Sequence, residues 1–244
     1  MAALDTESGL RLSYREGERF AMCSTFKWIL AAAVLAQVER GEIMLSQRVQ
    51  FSAGDLLEYA PVSRAHVTDG SMSVEDMCAA IVEVSDNTAA NLLLALVGGP
   101  AGFTSYVRGL GDTVTRLDRN EPALNTNLPD DPRDTTTPEA MIGTMNAILV
   151  GDALSANGRG RLLGWMINSR TGLGRIRAGI PRNWTGGDKT GPGANGAAND
   201  NAVIWQPGHA PILIAAYLSG SSGTPEARDA AHAKIGNIVA SALG

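Results

Sequence analysis

Apolar positions change their period along the chain, separating strand-like ends from a helical middle. After the turn signal Glu7-Ser8-Gly9, the run Leu10–Tyr14 reads as one strand of a hairpin. Ser24–Arg40 is an almost unbroken series of helix formers, closed by Gly41 on its C-terminal side. Ser73-Val74-Glu75-Asp76 resembles a capping box and opens a helix through Val84. A second helix, Thr88–Val97, stops at Gly98-Gly99-Pro100. Residues 111–136 show no period and are rich in Asp, Asn, Pro and Thr; so long an irregular stretch in a compact domain is usually functional. Thr137-Pro138 starts another helix, with threonine as cap and proline in the first turn. Beyond Ser169, Asp200–Trp205 and Pro211–Leu218 are β-branched apolar runs read as strands, and Pro225–Leu243 is a final amphipathic helix. The pattern predicts an α+β fold: an antiparallel sheet built from both termini, flanked by helices, with an inserted all-helical region. The expected division is one domain over residues 1–244, with an α/β subdomain (1–22 plus 168–244) and an all-helical subdomain (23–167).

Composition narrows the classes. Hydrophobic residues make up 44% and charged residues 18%, which suits a folded globular domain and is too apolar for disorder. Lys+Arg is 20 against Asp+Glu 25, a net charge of -5, which argues against a nucleic-acid surface. The longest apolar run, Trp28–Ala36, falls far short of the ~20 residues of a membrane span. Two cysteines make no disulfide framework, and His66, His209 and His232 fit no metal-ligand spacing, so neither metal nor cofactor is expected. Only three of the 20 basic residues are lysines: Lys27, Lys189 and Lys234. A chain that covers its surface with arginine has little use for lysine as a generic charge, so each lysine merits individual reading.

Three constellations could carry chemistry. In Ser24-Thr25-Phe26-Lys27, positions i and i+3 share one helix face, so hydroxyl and amine can meet. Serine becomes a nucleophile when a base takes its proton, and lysine serves if burial or another cation lowers its pKa. The bland alternative is a capping serine with a solvated lysine, but Phe26, Trp28, Ile29 and Leu30 make an odd setting for a solvated charge. Ser85-Asp86-Asn87 lies between two helices and on its own reads as a capping turn. Lys189-Thr190-Gly191, ahead of a strand, reads on its own as a sheet-edge lysine.

In this order the three match a known motif set of penicillin-recognising serine acyltransferases. The irregular stretch adds Arg119-Asn120-Glu121-Pro122-Ala123-Leu124-Asn125, and with it the chain resembles class A serine β-lactamases from about residue 4 to its C-terminus. That family carries Glu-x-x-x-Asn on an omega-shaped loop, whose neck ion pair corresponds to Arg119 and Asp134. The resemblance implies a β-lactamase/transpeptidase-like fold and hydrolysis of β-lactam antibiotics through an acyl-serine. Ser24 would be the nucleophile, Lys27 a proton acceptor, and Ser85 a relay to the lactam nitrogen. Glu121 would be the base for the deacylating water, with Asn125 as second anchor; whether Lys27 or Glu121 is the acylation base stays open. Asn87 would bind the substrate side-chain amide, Lys189, Thr190 and Gly191 its carboxylate, and Tyr59 would wall the cleft. The implied partner is a small-molecule β-lactam, acting on a monomer that is periplasmic or secreted. The rivals are a D-Ala-D-Ala peptidase and a non-hydrolytic penicillin-binding sensor, and Glu121 with Asn125 speaks against both.

Departures from the family qualify these expectations. Gly191-Pro192-Gly193-Ala194-Asn195-Gly196 fits a dinucleotide-binding pattern but precedes a strand-like segment, so it is rejected. The substrate-binding arginine that many members carry on the next strand is missing from Gly196-Ala197-Ala198-Asn199. A subset carries it at the position of Arg175, while Arg177 is expected to pair with Asp188. Cys23 and Cys78 each match half of a family disulfide whose other half is Gly193 or Ala31, so both should be free and buried. Residues 1–20 hold no secretory signal, and the chain opens inside the first strand; either the family's N-terminal helix is absent or the sequence begins after it. The family's second oxyanion donor, the N–H after Lys-Thr-Gly, falls on Pro192, which has none.

Overall fold

A computed structural model describes residues 1–244. The chain opens with the hairpin β1 (Ala2–Asp5) and β2 (Arg11–Ser13), then β3 (Phe20–Ala21) and a short 3-10 turn, Cys23–Thr25. Helix α1 (Phe26–Glu39) follows, then β4 (Arg48–Gln50), α2 (Pro61–Ala65) and β5 (Ser71–Ser73). Helices α3 (Val74–Glu83), α4 (Asn87–Leu96) and α5 (Gly99–Gly109) lead to the long loop, which ends at β6 (Thr135–Thr136). Next come α6 (Pro138–Met145), extended by a wider π turn through Val150, and α7 (Ala156–Ile167). The chain ends with β7 (Thr185–Pro192), β8 (Ala198–Trp205), β9 (Ile212–Leu218) and α8 (Pro225–Leu243). The fold is α+β, as expected.

The main sheet has the order β2-β1-β9-β8-β7, with every neighbour antiparallel. Strand alternation splits its residues between two cores. Leu4, Val203, Leu213 and Ala215 join the helical core, whereas Ala3, Ala202, Ile204 and Ile214 pack with Ile176 and with Val239 of α8. β7, which carries Lys189-Thr190-Gly191, lies at the open edge of the sheet.

Helix α1 is apolar all round and buried from Phe26 to Ala36, as befits a helix wrapped by others. It packs against α3, α4, α5 and α7, and Phe26 meets Phe103 of α5 edge-on at 5.9 Å. Gly41, with φ of +75°, takes the left-handed conformation that closes the helix. Two caps stand where the sequence placed them: the Ser73 hydroxyl accepts from the Asp76 N–H and Thr137 from Ala140, while Thr224 adds a third by accepting from Ala227.

Several details differ from the sequence reading, which did not name α2 or α7. Helix α5 is additional, beginning where Gly99-Pro100 had read as a stop. Ser24 sits on the 3-10 turn ahead of α1, not within the α-helix. Lys189-Thr190-Gly191 lies inside a strand, not before one. Both cysteines are free and buried.

Candidate active site

Ser24 is presented by a tight turn. Cys23 adopts a positive φ of 47°, so the chain swings sharply from β3 into α1. β7 passes directly behind it. A Cβ on Gly191 would lie 2.7 Å from the Met22 carbonyl oxygen and 3.1 Å from the Ser24 nitrogen, so only glycine allows this approach. The Ser24 N–H has no partner within the chain.

Ser85, at φ of +64°, lies in the turn between α3 and α4. Asp86 is occupied by structure: its carboxylate accepts from the Ala89 N–H at 2.9 Å, from the Val62 and Ser63 N–H groups and from the Ser63 hydroxyl. That capping pins α2 and α4 together and leaves Ser85 and Asn87 to face Lys27. The Asn87 N–H donates to the Tyr59 carbonyl at 3.0 Å, and the Tyr59 side chain stands 52% exposed.

Lys27 is fully buried. Its Nζ donates to the Ser85 carbonyl at 2.9 Å, Ser85 Oγ at 3.2 Å and Asn87 Oδ1 at 2.5 Å, and contacts Glu121 Oε1 at 3.0 Å. Lys189, equally buried on β7, donates to Ser85 Oγ at 3.1 Å and to the Thr190 carbonyl at 2.7 Å. The Ser85 oxygen thus faces two lysine amines, whose N–H groups occupy its lone pairs and leave its own proton free to be given elsewhere. Desolvation by burial lowers the pKa of Lys27, opposed by the Glu121 carboxylate and, less, Asp86. Lys189 is driven well below the ordinary lysine value, first by burial and then by the charge of Lys27.

The loop delivers Glu121 against this pair. Arg119 Nε donates to Asp134 Oδ2 at 2.5 Å, and Asp134 Oδ1 accepts from the Asp118 and Arg119 N–H groups. Glu121 is 4% exposed. Its Oε1 accepts from the Ser24 hydroxyl at 3.3 Å and its Oε2 from Asn125 Nδ2 at 2.5 Å. Asn91 of α4 grips its backbone from both sides, with Oδ1 accepting the Glu121 N–H and Nδ2 donating to its carbonyl, each at 2.9 Å. The Ser24 hydroxyl therefore meets Glu121, and no hydrogen bond joins it to Lys27 despite the i, i+3 spacing.

Thr190 Oγ1 donates to Thr171 Oγ1 at 2.7 Å. Arg175 is 9% exposed; its Nη1 donates at 2.7 Å to the carbonyl of Asn199, the residue opposite Gly191 in the ladder, and its Nε to Asp229 of α8 at 2.8 Å. Arg177 pairs with Asp188 at 3.1 Å, as expected. Burial raises Asp188 and, more strongly, Asp200 above the ordinary carboxylate value. Burial also pushes the Cys23 thiol up to about 12, so it stays protonated beside Ser24. No three His, Cys, Asp and Glu side chains are grouped to hold a metal ion. Sequence reasoning missed Asn91, Thr171 and Asp229. Only Asn91 carried a signal, as the single polar residue inside the apolar run of α4, one helical turn after Asn87.

Similarity to known proteins agrees with this geometry. The model of the beta-lactamase enzyme family matches residues 1–243. Beta-lactamase AST-1 of Nocardia asteroides is 47% identical over 242 residues, 99% of this chain and 78% of that protein. Beta-lactamase Toho-1 of Escherichia coli is 46% identical over 238 residues, 96% of this chain and 81% of that protein. Among solved structures, the class A beta-lactamase of the last common ancestor of Gram-negative bacteria superposes with a TM-score of 0.98. It is 53% identical and covers 100% of this chain and 92% of that one.

Proposed function

The chain belongs to class A of the beta-lactamase enzyme family and hydrolyses β-lactams; we propose that it does so through an acyl-enzyme on Ser24 that Glu121 discharges. One observation carries the reading: a single buried carboxylate touches Ser24 and Lys27 with one oxygen and is held by Asn125 through the other. In acylation, Ser24 Oγ attacks the lactam carbonyl and its proton passes to Glu121, the group that hydroxyl already meets. The carbonyl–nitrogen bond breaks as Ser85 hands its proton to the ring nitrogen. Lys27 Nζ restores the Ser85 proton, and Glu121 passes the proton it took from Ser24 to Lys27 across their 3.0 Å contact, regaining its carboxylate. In deacylation, Glu121 takes a proton from a water that attacks the ester carbonyl and returns it to Ser24 Oγ as the acyl–oxygen bond breaks. Asn125 Oδ1, buried without a partner, is an acceptor available to that water.

A peptidase or a sensor acylates with the same serine but has no use for Glu121. Nitrocefin separates them: many cycles per enzyme are expected, and one equivalent followed by arrest overturns the reading. The cleft lies between the proposed subdomains, 1–22 with 168–244 and 23–167, with Tyr59 and Asn87 on one side and Lys189, Thr190 and Gly191 on the other. We place the enzyme in the periplasm or outside the cell as a monomer that binds no nucleic acid; no single helix is long and apolar enough to cross a membrane.

Arg175 is the proposed second anchor for the substrate carboxylate, held behind Gly191 by Asn199 and Asp229. Arg175→Ala removes a charge-assisted bond worth about 1.5–3 kcal/mol, roughly ten- to hundredfold in KM. Because the carboxylate carries its charge in ground and transition state alike, kcat should change little. An unchanged KM for penicillins would leave Arg175 as a structural partner of Asp229.

A further inference from the structure

The loop bearing Glu121 is closed twice. Arg119 and Asp134 close its neck, but a second closure lies at its far side, where it meets the turn between β7 and β8. Asn127 Nδ2 donates to the Ala194 carbonyl at 3.1 Å, the Asn195 carbonyl at 3.3 Å and Ser219 Oγ at 2.9 Å. In return, Asn195 Nδ2 donates to the carbonyls of Thr126 and Asn127 at 3.1 and 3.0 Å. The two asparagines clasp each other's backbone. Both hold positive φ, 43° at Asn127 and 50° at Asn195, a conformation asparagine tolerates better than most side chains.

We propose that this reciprocal clasp of Asn127 and Asn195 positions Asn125, and through it Glu121, for deacylation. The proposal rests on the assignment of Glu121 and Asn125 made above. Its bonds land on one half of the machinery. The clasp brackets the Ala194 N–H that donates to the Asn125 carbonyl at 2.9 Å, and it grips Thr126 and Asn127, the next two residues of the chain. Asn125 in turn holds Glu121 Oε2. Ser24, Lys27, Ser85 and Lys189 share no hydrogen bond with either clasp residue. The clasp residues lie near solvent, so each bond is individually weak, and their effect is to confine Asn125 to one position. Asn127 and Asn195 are therefore positioning residues, and the step they serve is the one in which water must be aimed.

The test uses Asn127→Gly, Asn195→Gly and the double variant, since glycine accepts the left-handed backbone and removes only the amide. Pre-steady-state kinetics and mass spectrometry with benzylpenicillin separate the two steps. Acylation is expected to stay within about twofold of the parent, while deacylation falls by roughly fivefold or more and acyl-Ser24 accumulates. The double variant should be no slower than the slower single, because the pair acts as one device. Asn127→Asp preserves shape and backbone preference but turns a carboxylate toward carbonyl oxygens, so it should resemble the glycine variant. A lowered melting temperature with both rate constants falling equally, or not at all, overturns the proposal. So does parent-like behaviour of Asn127→Asp. Glu121→Ala run in parallel distinguishes the two failures: if it stalls deacylation while the clasp variants do not, the clasp is wrong; if neither stalls, the assignment of Glu121 is wrong.

Discussion

Glu121→Ala should leave an enzyme that acylates on mixing with penicillin and then stops. A general base in place contributes typically 10²–10⁴-fold, so kcat is expected to fall by about that factor. Acylation should suffer less, for a reason visible in the electrostatics. The Glu121 carboxylate and its hydrogen bond raise the pKa of Lys27 against the desolvation that lowers it. Without that carboxylate the Lys27 pKa falls further, a larger fraction of the amine is neutral at a given pH, and a neutral amine can take the Ser24 proton. Deacylation has no such substitute, because the water loses its base and Asn125 loses the partner that fixes its amide. Mass spectrometry should show a long-lived adduct on Ser24. Turnover at the parent rate would end the assignment of Glu121.

The lysine census was the most informative feature of the sequence. Of three lysines, two prove fully buried on either side of Ser85, where a surface residue would never be placed without chemical reason. Two helix starts were legible because caps act locally: Ser73 and Thr137 each bond an N–H three residues on. Helix α5 was not, because Gly98-Gly99-Pro100 stops one helix and starts another, and only the burial of Phe103 and Val107 distinguishes the cases. β7 was hidden for a related reason. Its three glycines and one proline have no strand propensity, and the strand exists because β8 pairs with it over eight residues. Asn91, Asp229 and the Asn127–Asn195 pair act across 30, 54 and 68 positions, beyond any local period. In the site, the three motifs singled out by their order do come together in space, but sequence did not show that the Ser24 hydroxyl would meet Glu121 in place of Lys27.

Pro192→Thr should accelerate acylation, and the geometry of an edge strand says why. In an antiparallel strand, successive N–H groups point alternately toward the neighbour and away from it. The Gly193 N–H points toward β8, donating to the Ala197 carbonyl at 3.1 Å. The nitrogen of residue 192 therefore faces the open edge of β7, one residue on from Gly191, whose backbone lies against Ser24. Proline is tolerated there because no ladder bond is lost. The position nevertheless matches that of the second oxyanion donor in the family. Gly193 cannot replace it, since its N–H is already committed to the ladder. The Ser24 N–H is free of any partner in the chain, and in the proposed mechanism it would be the one backbone donor left for the developing oxyanion. Losing one such donor costs about 10²–10³ in rate, so restoring it should recover roughly tenfold or more. Threonine suits a strand and adds no charge; Pro192→Ala supplies the same N–H without a hydroxyl and separates the two contributions. The quantity to follow is the single-turnover acylation rate constant, which slow deacylation cannot mask. Equal gains in both variants would place the effect in the backbone amide. An acylation rate unchanged or lower in both would mean that the carbonyl oxygen is held by other groups and that residue 192 is not part of the oxyanion hole.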